Sequence, residues 1–341
     1  MEKEERDPNL PTAKLGRCHK YRSCFIKALV LAIALFQTDC ASTDAVSKFA
    51  SQSSQAIVQG EPVLHDIYGS CERGYMATRD IAASVLKREG TPTGAFTSAK
   101  DEQAGIARDC SNLKNDDQPL LALSDVLKDY FTAINQLASA GSTTDKAKKN
   151  SEDANQKSQT AKQTASQTAS QTLATGVNAA GMLAAALAKV FLGAYRDKKL
   201  AESFSDADKP LSDLVDALTG IVTTNYLGTS QHQGVLTHER EQLMLQYSTL
   251  INYWAKHDGV SDLVPSIELL LRGQWDQQIT IIDSKAAAAN AYVAALKAMK
   301  EGHNKLAAQA KAGKLNGKEI IAVLQPEEQT ISENIPKLLK F

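Results

Sequence analysis

The side chains best suited to chemistry are few and poorly placed for it. Of the six histidines, His232 and His238 come closest to a pair. Six positions apart on a helix they point to different faces, and His238-Glu239-Arg240-Glu241-Gln242 lacks the second histidine that a zinc-protease helix uses to grip its metal. The spacing predicts no metal site. Glu239 and Glu241 diverge on a helix, which suits a solvated surface better than a general acid and base working together. No glycine-rich loop follows a strand pattern to cradle a phosphate, and no Gly-x-Ser-x-Gly elbow presents a nucleophile. We expect no catalytic residue, no cofactor and no enzyme.

The charge balance excludes further classes. A formal net charge of -1 over 341 residues supplies no basic field for nucleic acid, so no nucleic-acid partner is expected. At 43% hydrophobic and 23% charged, the chain can bury a substantial core and need not be disordered. Aromatic residues make up only 6%, while alanine, glutamine, leucine and lysine are plentiful, a balance that favours helices over strands.

The first forty residues have the order of an export signal. Lys14, Arg17, Lys20, Arg22 and Lys27 form a basic region, and Ala28 to Phe36 is an unbroken apolar run. Gln37, Thr38 and Asp39 then lead to Cys40. The run is shorter than the roughly 20 apolar residues a spanning helix needs, so a removed signal fits better than a transmembrane anchor. This segment resembles that of bacterial lipoproteins, in which a cysteine just after the apolar run is acylated and becomes the mature N-terminus. The family places Leu, a small residue and Gly or Ala before that cysteine, and of these only Thr38 matches. The resemblance implies lipidation of Cys40, and Ala41 and Ser42 after it imply the outer membrane, facing the periplasm. An ordinary cleaved signal and an uncleaved N-terminus are the alternatives.

Export gives the remaining thiols a meaning. Cys18 and Cys24 would leave with the signal and Cys40 would carry lipid, which leaves Cys71 and Cys110 as a single pair for an oxidising compartment to join. Both lie on apolar helical stripes, expected to face each other across a turn at Gly90-Thr91-Pro92-Thr93-Gly94. Counted from that turn they sit about five residues out of register, roughly 7 Å of helix rise, so two separate buried thiols are the alternative to a disulfide.

Apolar spacing follows the helical period almost throughout, which predicts an all-α, elongated multi-helix bundle with long coiled-coil-like helices. We divide it into a signal over 1–39, an N-terminal helical region with the candidate disulfide over 40–141, a low-complexity polar helix or linker over 142–172, and a helical bundle over 173–341. Glu61-Pro62, Asp116-Asp117-Gln118-Pro119 and Asp208-Lys209-Pro210 are read as helix boundaries, and Gly228 to Gly234 as a break. The proline-free stretch from Thr144 to about Phe204 is read as a single long helix, and Pro326 and Pro336 suggest a short last helix with an extended end.

The functional expectation is a lipid-anchored envelope protein that acts by binding another protein or as a structural component, with its exposed contact region near Thr144 to Thr172. One alternative is a membrane-active protein that inserts the nearly uncharged Leu173 to Leu192 segment, whose small residues would permit close helix approach. Another is an immunity or inhibitory lipoprotein.

Overall fold

The longest amphipathic seam in the chain begins at Val46 and recurs every three or four residues through Phe49, Ala50, Ile57, Leu64 and Cys71 to Ala77, all buried. In the computed structural model it forms one face of helix α1, Cys18–Leu86. The structure describes the backbone of residues 18–86, 93–139, 152–160, 163, 171–190, 196–255, 263–313 and 317–341. Side chains are described for 43–79, 110–139, 152–160, 163, 172–187, 200–252, 254–255, 263, 265–313 and 318–341. The basic part of the signal up to Arg17, the side chain of Cys40, the turn at 90–92, Gly141-Ser142, most of the Gln-Thr-Ala repeat and His257-Asp258-Gly259 lie outside the described residues.

The other helices are α2 (Thr93–Ala138), α3 (152–160), α4 (Gln171–Val190), α5 (Arg196–Ile221), α6 (Val235–Ala255), α7 (Val264–Lys311) and α8 (Gly317–Leu338). A π-helical turn, Val222–Leu227, continues α5. The fold is an all-α bundle with some long helices.

Several expected boundaries are not boundaries. Pro62 lies inside α1, Pro119 inside α2, Pro210 inside α5, and Pro326 and Pro336 inside α8. Each interior proline removes a backbone hydrogen bond and crowds the preceding turn, yet the buried stripe runs unbroken past it. In α1 the exposed Pro62 faces away from the seam that carries Ile57 and Leu64 on either side. Packing of a whole face outweighs a local propensity of a few kcal/mol.

The single long helix expected from Thr144 to Phe204 is likewise replaced by α3, α4 and α5. Gly176 lies against Ala217 and Gly220 against Thr172, so α4 and α5 run antiparallel. The reason is burial: Leu173, Val177, Leu183 and Leu187 on α4 and Leu200, Phe204, Leu211 and Leu214 on α5 are all buried, whereas one straight helix would leave both stripes without a partner. Small residues do allow close approach at Gly176, where an added Cβ would come within 2.8 Å of Leu123. Gly181, by contrast, faces open space.

The expected break at Gly228 to Gly234 is present. Gly228 has φ 88° and bridges to Gln233, and a Cβ on Gly234 would lie 2.2 Å from the Gly228 nitrogen, so only glycine closes this loop. No described helix is long and apolar enough to cross a membrane.

One contiguous core joins α1, α2, α4, α5, α7 and α8. Helix α7 runs antiparallel to α1, as three contacts in register show. Phe49 packs on Gly302, Gly60 on Tyr292, and Asp66 pairs with Lys285. The first half of α7 continues past this core as an arm with α6 beside it, and α6 in turn packs along the last part of α1.

Candidate functional site

The arm begins where a set of buried charges ties it to the body. Asp66, Ser70 and Arg73 share one face of α1, Tyr226 comes from the π-helical turn, Glu239 from α6 and Lys285 from α7. Arg73 donates through Nη2 to both Asp66 oxygens at 2.8 and 2.9 Å, and through Nε to Glu239 Oε1 at 2.5 Å. Ser70 Oγ donates to Glu239 Oε2 at 2.5 Å, Tyr226 Oη to Asp66 Oδ2 at 2.6 Å, and Lys285 Nζ lies 3.0 Å from Asp66 Oδ2. Glu239 is only 2% exposed.

Two carboxylates therefore meet one guanidinium and one ammonium, and the set is neutral. Burial lowers the affinity of Arg73 for its proton, but the Glu239 and Asp66 carboxylates outweigh it and push the guanidinium pKa up. Burial, reinforced by Asp66, pushes the Tyr226 phenol up and keeps it a donor. The arrangement spends its charges on one another and acts as a clamp. Glu239, read from sequence as a surface carboxylate, is one of its buried members.

Beyond the clamp, between Arg240 and Ile281, no described side chain is buried. Tyr247 and Trp275, with rings 5.6 Å apart, hold α6 and α7 together, and Arg240 bonds Asp283 at 2.8 Å across their base. Around this thin seam large apolar side chains stand in solvent: Met244 is 62% exposed, Leu245 50%, Leu263 57%, Leu269 72% and Leu270 70%. Five large apolar side chains exposed on one extension are more than the scattered single ones normal on a surface. Periodicity revealed the apolar positions here, but not that nothing among the described residues covers them.

A second polar cluster sits in the core. His303 on α7 is fully buried, its Nε2 2.6 Å from Tyr130 Oη and its ring packed against Tyr130 and Phe204. His303 Nδ1 lies 3.9 Å from Asp208, which Lys311 holds at 2.8 Å. Burial is the main reason the imidazole pKa falls to about 4; Asp208 pulls it upward and Lys311 further down. Tyr130 and His303 have no exposed edge, and only the Asp208 end of the string reaches solvent. Its signal in the sequence was placement: His303 follows the core residues Leu296 and Met299 at helical intervals.

Cys71 and Cys110 are joined in a disulfide with Cα atoms 5.6 Å apart. The register offset expected from the turn does not prevent the bond: Cys71 lies fifteen residues before Leu86 and Cys110 seventeen after Thr93, the facing ends of α1 and α2 as described. Asp116 and Asp117, expected to cap a helix start, instead lie inside α2. They line a cavity of about 20 Å³, room for one water, with Leu64, Tyr68 and Leu173. Burial raises both carboxyls, and for Asp117 the neighbouring His65 at 3.6 Å opposes the rise.

The described part of the 142–172 segment finds its partner within the chain. Ala154 and Ser158 of α3 are buried, and Lys157 bonds Asp129 of α2 at 2.8 Å. Most of this segment lies outside the described residues, and the uncovered apolar side chains among the described ones are those of the α6–α7 arm. His232 lies within the Gly228–Gly234 loop and His238 on α6 after it, and among the described residues no group of three metal-binding side chains converges. Comparison of the chain with protein-family models, with curated proteins and with solved structures finds no match.

Proposed function

We propose that this chain is an exported envelope protein, anchored through a lipid on Cys40 at the periplasmic face of the outer membrane, that works by contact and not by catalysis. The observation that carries the contact reading is the arm, whose apolar side chains no part of the described chain covers. The anchor rests on the apolar run that ends before Cys40. At 1.5 Å per residue, α1 carries Asp66 roughly 40 Å beyond Cys40, and α7 carries Leu270 roughly 20 Å beyond Lys285. Since Lys285 meets Asp66 and the helices are antiparallel, the arm stands roughly 60 Å from the tether. That reach suits a protein partner better than the lipid surface to which the chain is tied.

The rival reading, insertion of Leu173 to Leu192 into a bilayer, would require α4 to leave the core that buries Leu173, Leu183 and Leu187. Incorporation of labelled palmitate, with Cys40→Ser as control, tests the anchor. Wild type should take up label and sediment with membranes, and the variant should do neither; an unlabelled wild type would sink the lipid assignment.

A further inference from the structure

The outward face of α7 carries a pattern that contacts within the chain do not use. Leu263, Leu270 and Gln277 recur at seven-residue intervals, and Ser266, Gly273 and Thr280 recur between them at the same interval. All six are exposed. Trp275, on the opposite side of the helix, faces α6 through Tyr247. A seven-residue alternation of two positions is the spacing by which two helices keep one seam together over several turns. Here one position of the repeat bears leucine twice and then Gln277, the other bears serine, glycine and threonine, and none of the six is charged.

We propose that the occupant of this face is a second copy of the same chain, its α7 parallel to the first about a two-fold axis along the helices. The proposal deepens the contact reading above and rests on it. The chemistry of the seam, the proposed tether, the space at Gly273 and the area together favour a second copy over other partners. The seam is uncharged, so it offers nothing for a charged partner to complement, and two copies meet on it without repulsion. Copies tethered at their N-termini all stand the same way up with arms at one height, and a two-fold axis along the helices leaves both tethers in the same bilayer. Gly273 has nothing within 4 Å of a Cβ, so a second backbone can approach there.

Area is the fourth. Leu263, Leu269, Leu270 and Ile281, at 57%, 72%, 70% and 41% exposure, present on the order of 400 Å² of apolar side chain, about half of what each partner buries in a stable complex. The pair is therefore weak in dilute solution and is held by confinement of both copies to one membrane, where the effective concentration is high. A lipid surface is disfavoured because the arm stands away from the bilayer and the seam carries none of the lysine and arginine that interfacial helices use.

The test uses the full-length, membrane-bound chain. In a parallel two-fold pair each seam position meets its own copy, so Gly273→Cys should form a reducible dimer under mild oxidation. Ser248→Cys, exposed on α6 away from the seam, and the wild type should not. Adding Leu270→Glu to Gly273→Cys should cut the dimer at least tenfold. Equal cross-linking at Gly273→Cys and Ser248→Cys would show random collision and overturn the proposal, as would a Gly273→Cys chain that stays monomeric. In that last case a bulky maleimide separates the two readings. Blocked labelling at Gly273→Cys would mean that another protein covers the arm, so the second copy falls and the contact reading stands; free labelling would remove both.

Discussion

His303 should make the stability of the fold depend on pH in a way that one substitution removes. In the folded chain its pKa is lowered to about 4 because the ring is completely buried between Tyr130, Phe204 and Asp208. In the unfolded chain the ring titrates near 6.5. Between those values the unfolded state binds the proton and the folded state does not, so stability rises with pH across the window. The contribution is complete above pH 6.5 and is lost as pH falls towards 4. Linkage gives a loss of about 2 kcal/mol by pH 5 and about 3 kcal/mol by pH 4. Many carboxylates titrate over the same range, so the comparison must be a difference. Urea unfolding of wild type and His303→Gln at pH 7, 6, 5 and 4 isolates the imidazole, since the other groups are common to both chains. The gap between the two stabilities should move by about 3 kcal/mol from pH 7 to pH 4 in favour of the variant. Parallel curves would refute the reasoning and mean that the folded chain accommodates the charged ring, with Asp208 as its partner.

Two further substitutions test the clamp and the helix packing. Glu239→Gln keeps the shape of the side chain but removes the charge that Arg73 and Ser70 address. Because Arg73 is 42% exposed and keeps Asp66, the cost should fall below the range for breaking a fully buried pair, at about 2 kcal/mol. Amide hydrogen exchange should accelerate over 235–255, and unchanged protection there would show that the clamp does not hold α6. Gly60→Ala places a Cβ 2.1 Å from the Tyr292 ring and should cost about 1–3 kcal/mol by overpacking, whereas Gly273→Ala meets nothing within 4 Å and should gain up to about 1 kcal/mol from helix propensity. Thermal melts of the two variants should move in opposite directions, and a shared direction would show that the α1–α7 spacing at Gly60 is wrong.

The helical class was legible because nearly every segment repeats its apolar residues every three or four positions, and the Gly228–Gly234 break was legible because its glycines satisfy a geometry that other residues cannot. The helix boundaries were less so. Proline at 62, 119 and 210 is a local signal, and the seam from Ile57 through Leu64 to Cys71 that overrides it becomes decisive only once a partner helix is seen to bury it. The converse error occurred between Thr144 and Phe204, where absence of proline suggested continuity although two stripes needed each other. The spacing after Leu296 and Met299 puts His303 on a core face, but its partners, like those of Glu239, lie on α1, α2 and α5, more than ninety residues away in the chain, and no spacing within α6 or α7 announces them.

Periodicity says which side of a helix is apolar, but whether that side is covered depends on how many helices reach it. Helix α7 shows the difference within one element. Its second half, from Ile282 to Ala307, sits among α1, α5 and α8, and the side-chain contacts described for its first half are with α6. Because the 48-residue helix is continuous through both halves, the exposed half is held by the packed half and by the clamp at Asp66, Arg73 and Glu239. Its backbone order is supplied by the core, so a partner need not supply the entropy of forming the helix on binding. A stiff arm with open apolar side chains costs solubility and contributes nothing to the stability of the body, which is the trade the proposed contact surface would make.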